Sequence, residues 1–216
     1  MQRTNRLDRE LENHCRALAS CRRCAPGAGV RPIVSLARRP QVMLVGQAPG
    51  KVESAGGRAF AGRAGNTLFR WLAQIGLDEE TARRCIYIAA ITRCYPGPSP
   101  SGRGDRVPSP TERANCATWL DDELRLMRPR VLIPVGRLAI ERFLPRLPLE
   151  ELIGCEHEIQ HLGGTSVAIP LPHPSGASSW IHQGDHMTLL SRALAHIGAR
   201  LGELGISNRG EARSVA

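Results

Sequence analysis

The chain has 216 residues, 42% of them hydrophobic, which is enough to bury one good core, so a single domain over residues 1–205 is expected, with 206–216 as a disordered tail. Its formal charge of +9, with Lys51 the only lysine, attracts polyanions through guanidinium groups suited to bidentate phosphate contacts, although a solvated, Arg-inflated surface would carry the same charge. Apolar runs too short to cross a bilayer and the lack of an export signal exclude a membrane span and lead us to expect a cytoplasmic protein; an aromatic content of 4% argues against a row of stacking platforms and leaves any base recognition to one pocket; and seven cysteines, an odd number, argue against a disulfide framework.

In chain order, Leu7, Leu11, Cys15 and Leu18 recur at helical spacing and run into the loop Cys21-Arg22-Arg23-Cys24. Val42 to Val45, bounded by Pro40 and Gly46, reads as a buried strand. After the turn Gly62 to Gly65, Leu68, Trp71, Leu72 and Ile75 share one helical face, and Gly76 stops it. A short helix through Glu79 to Arg84 precedes a second buried strand, Ile86 to Ile91. Residues 95–110, rich in Pro, Gly, Ser and Arg, read as a loop without a core of its own. Ser109, Pro110 and Glu112 then spell a capping box that starts a helix running to about Met127. Val131 to Val135 and Ser166 to Leu171 supply two more strands, with a helix at Leu138 to Phe143 between them and an amphipathic helix from about Asp185 to Leu204 after them. Strands alternate with helices, which predicts a three-layer αβα sandwich around a mostly parallel four-stranded sheet, with functional loops at the strand C-termini.

Two constellations carry chemistry. The first is Gly46-Gln47-Ala48-Pro49-Gly50, followed by Glu53 and by Gly57-Arg58-Ala59-Phe60-Ala61-Gly62-Arg63-Ala64-Gly65. A strand that ends in a glycine-bracketed turn presents backbone N–H groups and lets a ligand approach the main chain, so it could cradle a phosphate or a polar base. It is neither a Walker loop nor the dinucleotide fingerprint, and alone it is equally an ordinary βα turn. The second is Leu171-Pro172-His173-Pro174-Ser175-Gly176, where flanking prolines stiffen the backbone around a histidine placed to donate a hydrogen bond to developing negative charge. A lone histidine is as readily structural.

Together the Gly-x-Ala-Pro-Gly loop, the Gly-Arg-x-Phe-x-Gly-x-Ala-Gly stretch and the late His-Pro-Ser resemble the uracil-DNA glycosylase superfamily, particularly its iron-sulfur families four and five, from Cys21 to about Leu204. The resemblance implies a [4Fe-4S] cluster on Cys21, Cys24, Cys94 and Cys116. Four thiolates suit zinc equally by their own chemistry. The interval from Cys94 to Cys116 is longer than usual because of an insertion around Ser99 to Val107. Cys15, Cys85 and Cys155 remain as core residues, with Cys15 a weak substitute ligand.

By the same resemblance the partner is uracil-containing DNA, the chain acts as a monomer, and the reaction flips uracil out of the helix and hydrolyses its N-glycosidic bond to leave an abasic site. His173 would donate to the uracil O2, Phe60 would stack on the ring, and Gly46, Gln47, Ala48 and Pro49 would bind its edge and the attacking water. Family four generally carries Glu where Gln47 stands, and glutamine orients water but does not take its proton, so Glu53 becomes the candidate for water activation or for support of the sugar cation; a solvated loop carboxylate is its ordinary alternative. Ala90 stands where family four has a uracil-reading Asn and so resembles family five, which suggests relaxed discrimination extending to hypoxanthine or ethenocytosine. Ser175, Ser178, Arg58, Arg63, Arg93, Arg103 and Arg106 are the expected phosphate contacts, and Trp180 or Ile181 a wedge into DNA, unless Trp180 simply packs beneath its loop. The competing reading is a uracil-DNA or abasic-site binder with little turnover, suggested by Gln47 and Ala90; covalent trapping through a loop histidine is disfavoured because Tyr95 to Pro108 contains none.

Overall fold

In chain order the elements are α1 (Gln2–Ala19), β1 (Val42–Gly46), α2 (Lys51–Gly56), α3 (Arg63–Gln74), α4 (Glu79–Cys85), β2 (Ile86–Ala90), α5 (Pro110–Met127), β3 (Val131–Pro134), α6 (Arg137–Phe143), α7 (Leu149–Leu152), β4 (His157–His161), β5 (Gly164–Ala168) and α8 (His186–Glu203). They come from a computed structural model that describes residues 2–24, 30–35, 40–101, 104–175 and 180–207. Every residue of β1 and β3 is buried, as expected where helices cover both faces of a parallel sheet. The α1 helix packs on α5 and α3 on α8, and these layers flank the sheet.

The sheet has five strands in the order β2-β1-β3-β5-β4, one more than the four expected from the sequence. The additional strand, β4, pairs antiparallel with β5 at the edge. Its sequence His-Glu-Ile-Gln-His buries only Ile159, so no apolar run marks it. The remaining pairings are parallel, and β1 lies between β2 and β3 with Gly46 opposite Ala90. The capping box forms as read: Ser109 Oγ accepts from the Glu112 N–H at 3.2 Å, and the Glu112 carboxylate accepts from the Ser109 N–H at 2.7 Å. Ile206, expected in the tail, packs against the core and its N–H reaches the Leu201 carbonyl at 2.9 Å; residues 208–216 lie outside the described residues. Among the described residues no helix is long and apolar enough to cross a membrane.

Candidate active site

Four chain segments converge at the C-terminal edge of the sheet. Pairing continues past the strands: the Ile91 N–H donates to the Gly46 carbonyl at 3.0 Å, Thr92 N–H to Gln47 at 3.2 Å, Val135 N–H to Val45 at 2.8 Å and Gly136 N–H to Leu171 at 2.9 Å. These bonds fix the starts of the loops after β1, β2 and β3 and the His173 segment relative to one another. They surround a cleft of about 790 Å³. Gly46, Gln47, Ala48 and Pro49 form one wall, Phe60 and Ala90 line it, and His173 and Ser175 stand on it although 83 residues of chain separate His173 from Ala90.

Pro172 and Pro174 are buried and hold His173 between them. The Ser175 N–H donates to His173 Nδ1 at 3.2 Å, with Ser175 Oγ 2.9 Å from the same nitrogen. A backbone N–H only donates, so Nδ1 is the bare nitrogen and the ring proton sits on Nε2. Nε2 has no hydrogen-bond partner among the described residues. Burial pushes the imidazole pKa down from 6.5, which keeps the ring neutral. The ring rests on Gly136, where a Cβ would come within 2.9 Å of His173 Cδ2 and where φ is +82°. The site thus holds a neutral, oriented donor, Nε2–H.

Phe60 occupies a left-handed conformation, φ +52°, that a side chain adopts only when its surroundings impose it. Arg83 imposes it, donating to the Ala59 carbonyl at 2.8 Å and to the Phe60 carbonyl at 3.0 Å while stacking on Phe69. Gly65 permits it, since a Cβ there would stand 1.8 Å from the Phe60 oxygen. The Phe60 ring in turn lies over Gly46, within 3.0 Å of the position of a Cβ. Neither Arg83 nor Gly136 was singled out from the sequence. A strand-end glycine is a signal for Gly136, whereas nothing local marks Arg83.

Glu53 is buried, not a solvated loop carboxylate: its Oε1 accepts from the Gly62 N–H at 3.0 Å, joining the two glycine-rich segments. Arg63 is exposed on the cleft rim at the start of α3, and Arg58 is exposed beside Glu79 at 3.7 Å, so both are open to phosphate. Arg93 is corrected. It is 2% exposed and ion-paired to Glu123, which also accepts from the Tyr87 hydroxyl at 2.6 Å, so it supports the site from inside and does not reach DNA phosphate. Arg106 binds Glu112 through both terminal nitrogens at 2.7 and 2.6 Å. Trp180 stacks on His186 at 4.1 Å and, like Ile181, packs against the core; Ser178 and Arg103 lie outside the described residues.

Behind the cleft, Cys21, Cys24, Cys94 and Cys116 line a second cavity of about 460 Å³. All are free thiols. Burial, and then the neighbouring thiols of Cys116, Cys24 and Cys21, push Cys94 up to about 12, so this thiol favours its protonated form unless a cation is near. Arg23 pins the Cys21–Cys24 segment to α5, donating to Thr118 Oγ1 at 2.5 Å and lying 4.6 Å over Trp119. Two buried donors on residues that line this cavity, Thr92 Oγ1 and Arg93 Nε, have no hydrogen-bond partner among the described residues. Unpaired buried donors are costly, and a sulfur-rich group in the cavity would supply the acceptors they lack. Among the described residues no three Cys, His, Asp or Glu side chains are placed to hold a metal ion. Cys15 stands apart, its sulfur 3.9 Å from the Tyr87 hydroxyl, and Cys85 and Cys155 are only partly buried.

An α/β sandwich whose parallel strands aim their loops at one cleft, with an oriented imidazole donor on one wall and an aromatic ring over glycine on another, defines a protein that holds a flat polar ring. The chain belongs to the uracil DNA glycosylase superfamily, whose sequence model matches residues 35–195. It is 30% identical over 179 residues to the type-4 uracil-DNA glycosylase of Archaeoglobus fulgidus, covering 76% of this chain and 81% of that protein. It is 32% identical over 146 residues to the type-5 uracil-DNA glycosylase of Pyrobaculum aerophilum, covering 62% of this chain and 61% of that protein. A type-4 uracil-DNA glycosylase of Sulfurisphaera tokodaii is 24% identical over 182 residues, 77% of this chain and 75% of that protein.

Proposed function

We propose that this chain is a monofunctional uracil-DNA glycosylase that takes uracil out of the base stack and hydrolyses its bond to deoxyribose. The observation that carries the reading is the His173 tautomer: a neutral ring on the wall of the cleft, with its Nε2–H without a hydrogen-bond partner among the described residues. As the glycosidic bond breaks, the electron pair leaves with the base, and a preorganised donor at uracil O2 stabilises that anion without first having to lose or gain a proton. Phe60 stacks on the ring, and the Gly46–Pro49 backbone binds its edge. Gln47 orients water. Arg58 and Arg63 hold the phosphates around the extruded nucleotide, at an extrusion cost of a few kcal/mol that is lowest for mispaired or single-stranded uracil.

Cys21, Cys24, Cys94 and Cys116 would hold a [4Fe-4S] cluster, which supplies a rigid structural joint and no chemistry at the base. Four free thiols lining one cavity, with two unpaired donors on residues that also line it, support that cofactor. Ala90 presents no amide to the base edge, which favours a broader substrate range than uracil alone.

The test is cleavage of single- and double-stranded oligonucleotides containing uracil, hypoxanthine or ethenocytosine, followed by alkaline scission. Uracil-dependent scission is expected, and His173→Ala is expected to slow it by about 10²-fold or more. Binding of uracil DNA without scission by the unaltered protein would establish the alternative, a binder with little turnover.

A further inference from the structure

The cleft contains a carboxylate that the motifs do not include. The described residues of the segment between Cys94 and Pro108 pair as two antiparallel arms: Pro98 bridges Asp105, Ser99 N–H donates to the Gly104 carbonyl at 2.9 Å and Arg106 N–H to the Gly97 carbonyl at 3.0 Å. Their base is bolted to the start of α5 by the double contact between Arg106 and Glu112. This pairing brings Asp105 to the cleft wall. The Asp105 side chain bonds the Tyr95 hydroxyl and leans over Gly50, where a Cβ would meet Asp105 Oδ2 at 2.8 Å and Glu53 Oε2 at 2.7 Å. Two carboxylates therefore flank Gly50, whose φ of −84° any residue tolerates, so space and not backbone freedom is what requires glycine there.

The two acids are not equivalent. Glu53 is buried and engaged at Oε1 by the Gly62 N–H; Asp105 is exposed on the open side of the cleft. Gln47 carries no charge. An incoming deoxyribose therefore meets Asp105 as the accessible anion.

Resting on the glycosylase reading above, we propose that Asp105 is a catalytic residue that faces the sugar of the extruded nucleotide, from the part of the cleft wall beside Gly50. When the C1′–N1 bond breaks, its electron pair goes to uracil, whose O2 is held by His173 Nε2–H, and positive charge spreads over C1′ and the ring oxygen. The Asp105 carboxylate stabilises that cation, and then accepts a proton from the water whose oxygen bonds to C1′, before releasing it to solvent. The segment thus restores to the site the charge that Gln47 lacks, and Glu53 acts behind it as a positioning residue that ties the Gly50 loop to Gly62.

The experiment uses the full-length protein and compares single-turnover excision with affinity for an oligonucleotide carrying an uncleavable 2′-fluoro-deoxyuridine. Asp105→Asn keeps an acceptor for Tyr95 and is expected to slow excision by about 10²-fold, within the range for a positioned acid–base group, while affinity is unchanged or rises. Asp105→Gly is expected to be slow and to recover part of its rate in added formate, which a strut for the loop would not do. An Asp105→Asn protein that cleaves within twofold of wild type, one whose affinity falls in step with its rate, or an Asp105→Gly protein indifferent to formate would each overturn the assignment. A wild-type protein that binds the analogue and never releases uracil would refute the glycosylase reading and the Asp105 role together, whereas an active wild type with an indifferent Asp105→Asn refutes the latter alone.

Discussion

Substituting Gly65 by alanine sets two effects of opposite sign against each other. Gly65 is the third residue of α3, where alanine should gain about 0.5–1 kcal/mol of helix propensity. The added Cβ, however, would stand 1.8 Å from the Phe60 oxygen, 2.5 Å from its carbonyl carbon and 3.0 Å from its Cα, all backbone atoms with no rotamer to yield. The Phe60 segment must then move, and it is held by the two Arg83 donors at 2.8 and 3.0 Å. Overpacking costs about 1–3 kcal/mol, and loss of a hydrogen bond to a charged donor about 1.5–3 kcal/mol. Arg83 keeps its contact with Glu79 at 2.8 Å, so no bare buried charge adds to this. The net is a loss on the order of 2–4 kcal/mol, which for a domain of this size lowers Tm by roughly 5–15 °C. Because the same movement withdraws the Phe60 ring from Gly46, uracil excision should fall as well. Thermal unfolding followed by circular dichroism, with excision measured well below Tm, reads both effects. Gly56→Ala is the control: it is also helical, and a Cβ there meets nothing within 4 Å, so it should be neutral or slightly stabilising. A Gly65→Ala protein that behaves like Gly56→Ala would refute the clash argument.

His173 should titrate below 6.5, and its neutral form should carry the proton on Nε2; nitrogen and Hε1 chemical shifts followed against pH measure both, and a midpoint at or above 6.5 would contradict the buried, Ser175-bonded ring. Since its pKa is depressed in the fold, the stability this ring contributes is complete above 6.5 and is lost as pH falls through the folded value. The purified protein should absorb near roughly 400 nm, and Cys94→Ser should abolish the band and lower Tm while Cys155→Ser leaves both intact; a colourless protein containing zinc would overturn the cluster assignment.

What could be read from the sequence was whatever is encoded locally. The α5 start was legible because a capping box is a contract among residues three apart, and β1 because a strand buried on both faces is a continuous apolar run. His173 was legible as a candidate because proline on both sides is a backbone constraint written in the chain. Its tautomer was partly so, since the decisive N–H belongs to Ser175, two residues on. The edge strand β4 escaped because its polar residues face outward and one isoleucine makes no pattern. Arg93 misled for a different reason. A cation at a strand end beside a cysteine looks like a phosphate contact, and what buries it is Glu123, thirty residues later and around one helix. Residues 95–110 were expected to form a loop without a core of its own; Arg106 in that span is tied to α5 by polar contacts to Glu112, which composition does not display.

That misreading points to how the two cavities depend on each other. Thr92, Arg93 and Cys94 are consecutive: the Thr92 N–H holds the Gln47 carbonyl, Arg93 lines both the cysteine cavity and the base cleft, and Cys94 faces the cavity. A shift of Cys94 by one bond length is therefore transmitted within two residues to the loop that would position water. The Arg93 carbonyl accepts from the Ile33 N–H at 2.8 Å, so the segment is also clamped from the other side. Arg93 Nε and Thr92 Oγ1, adjacent in the chain, are both buried without a hydrogen-bond partner among the described residues. A group that bonds them would gain binding energy from the same contacts that stiffen the base cleft, and this is a physical reason for a structural cluster to sit behind a pocket whose chemistry does not use it.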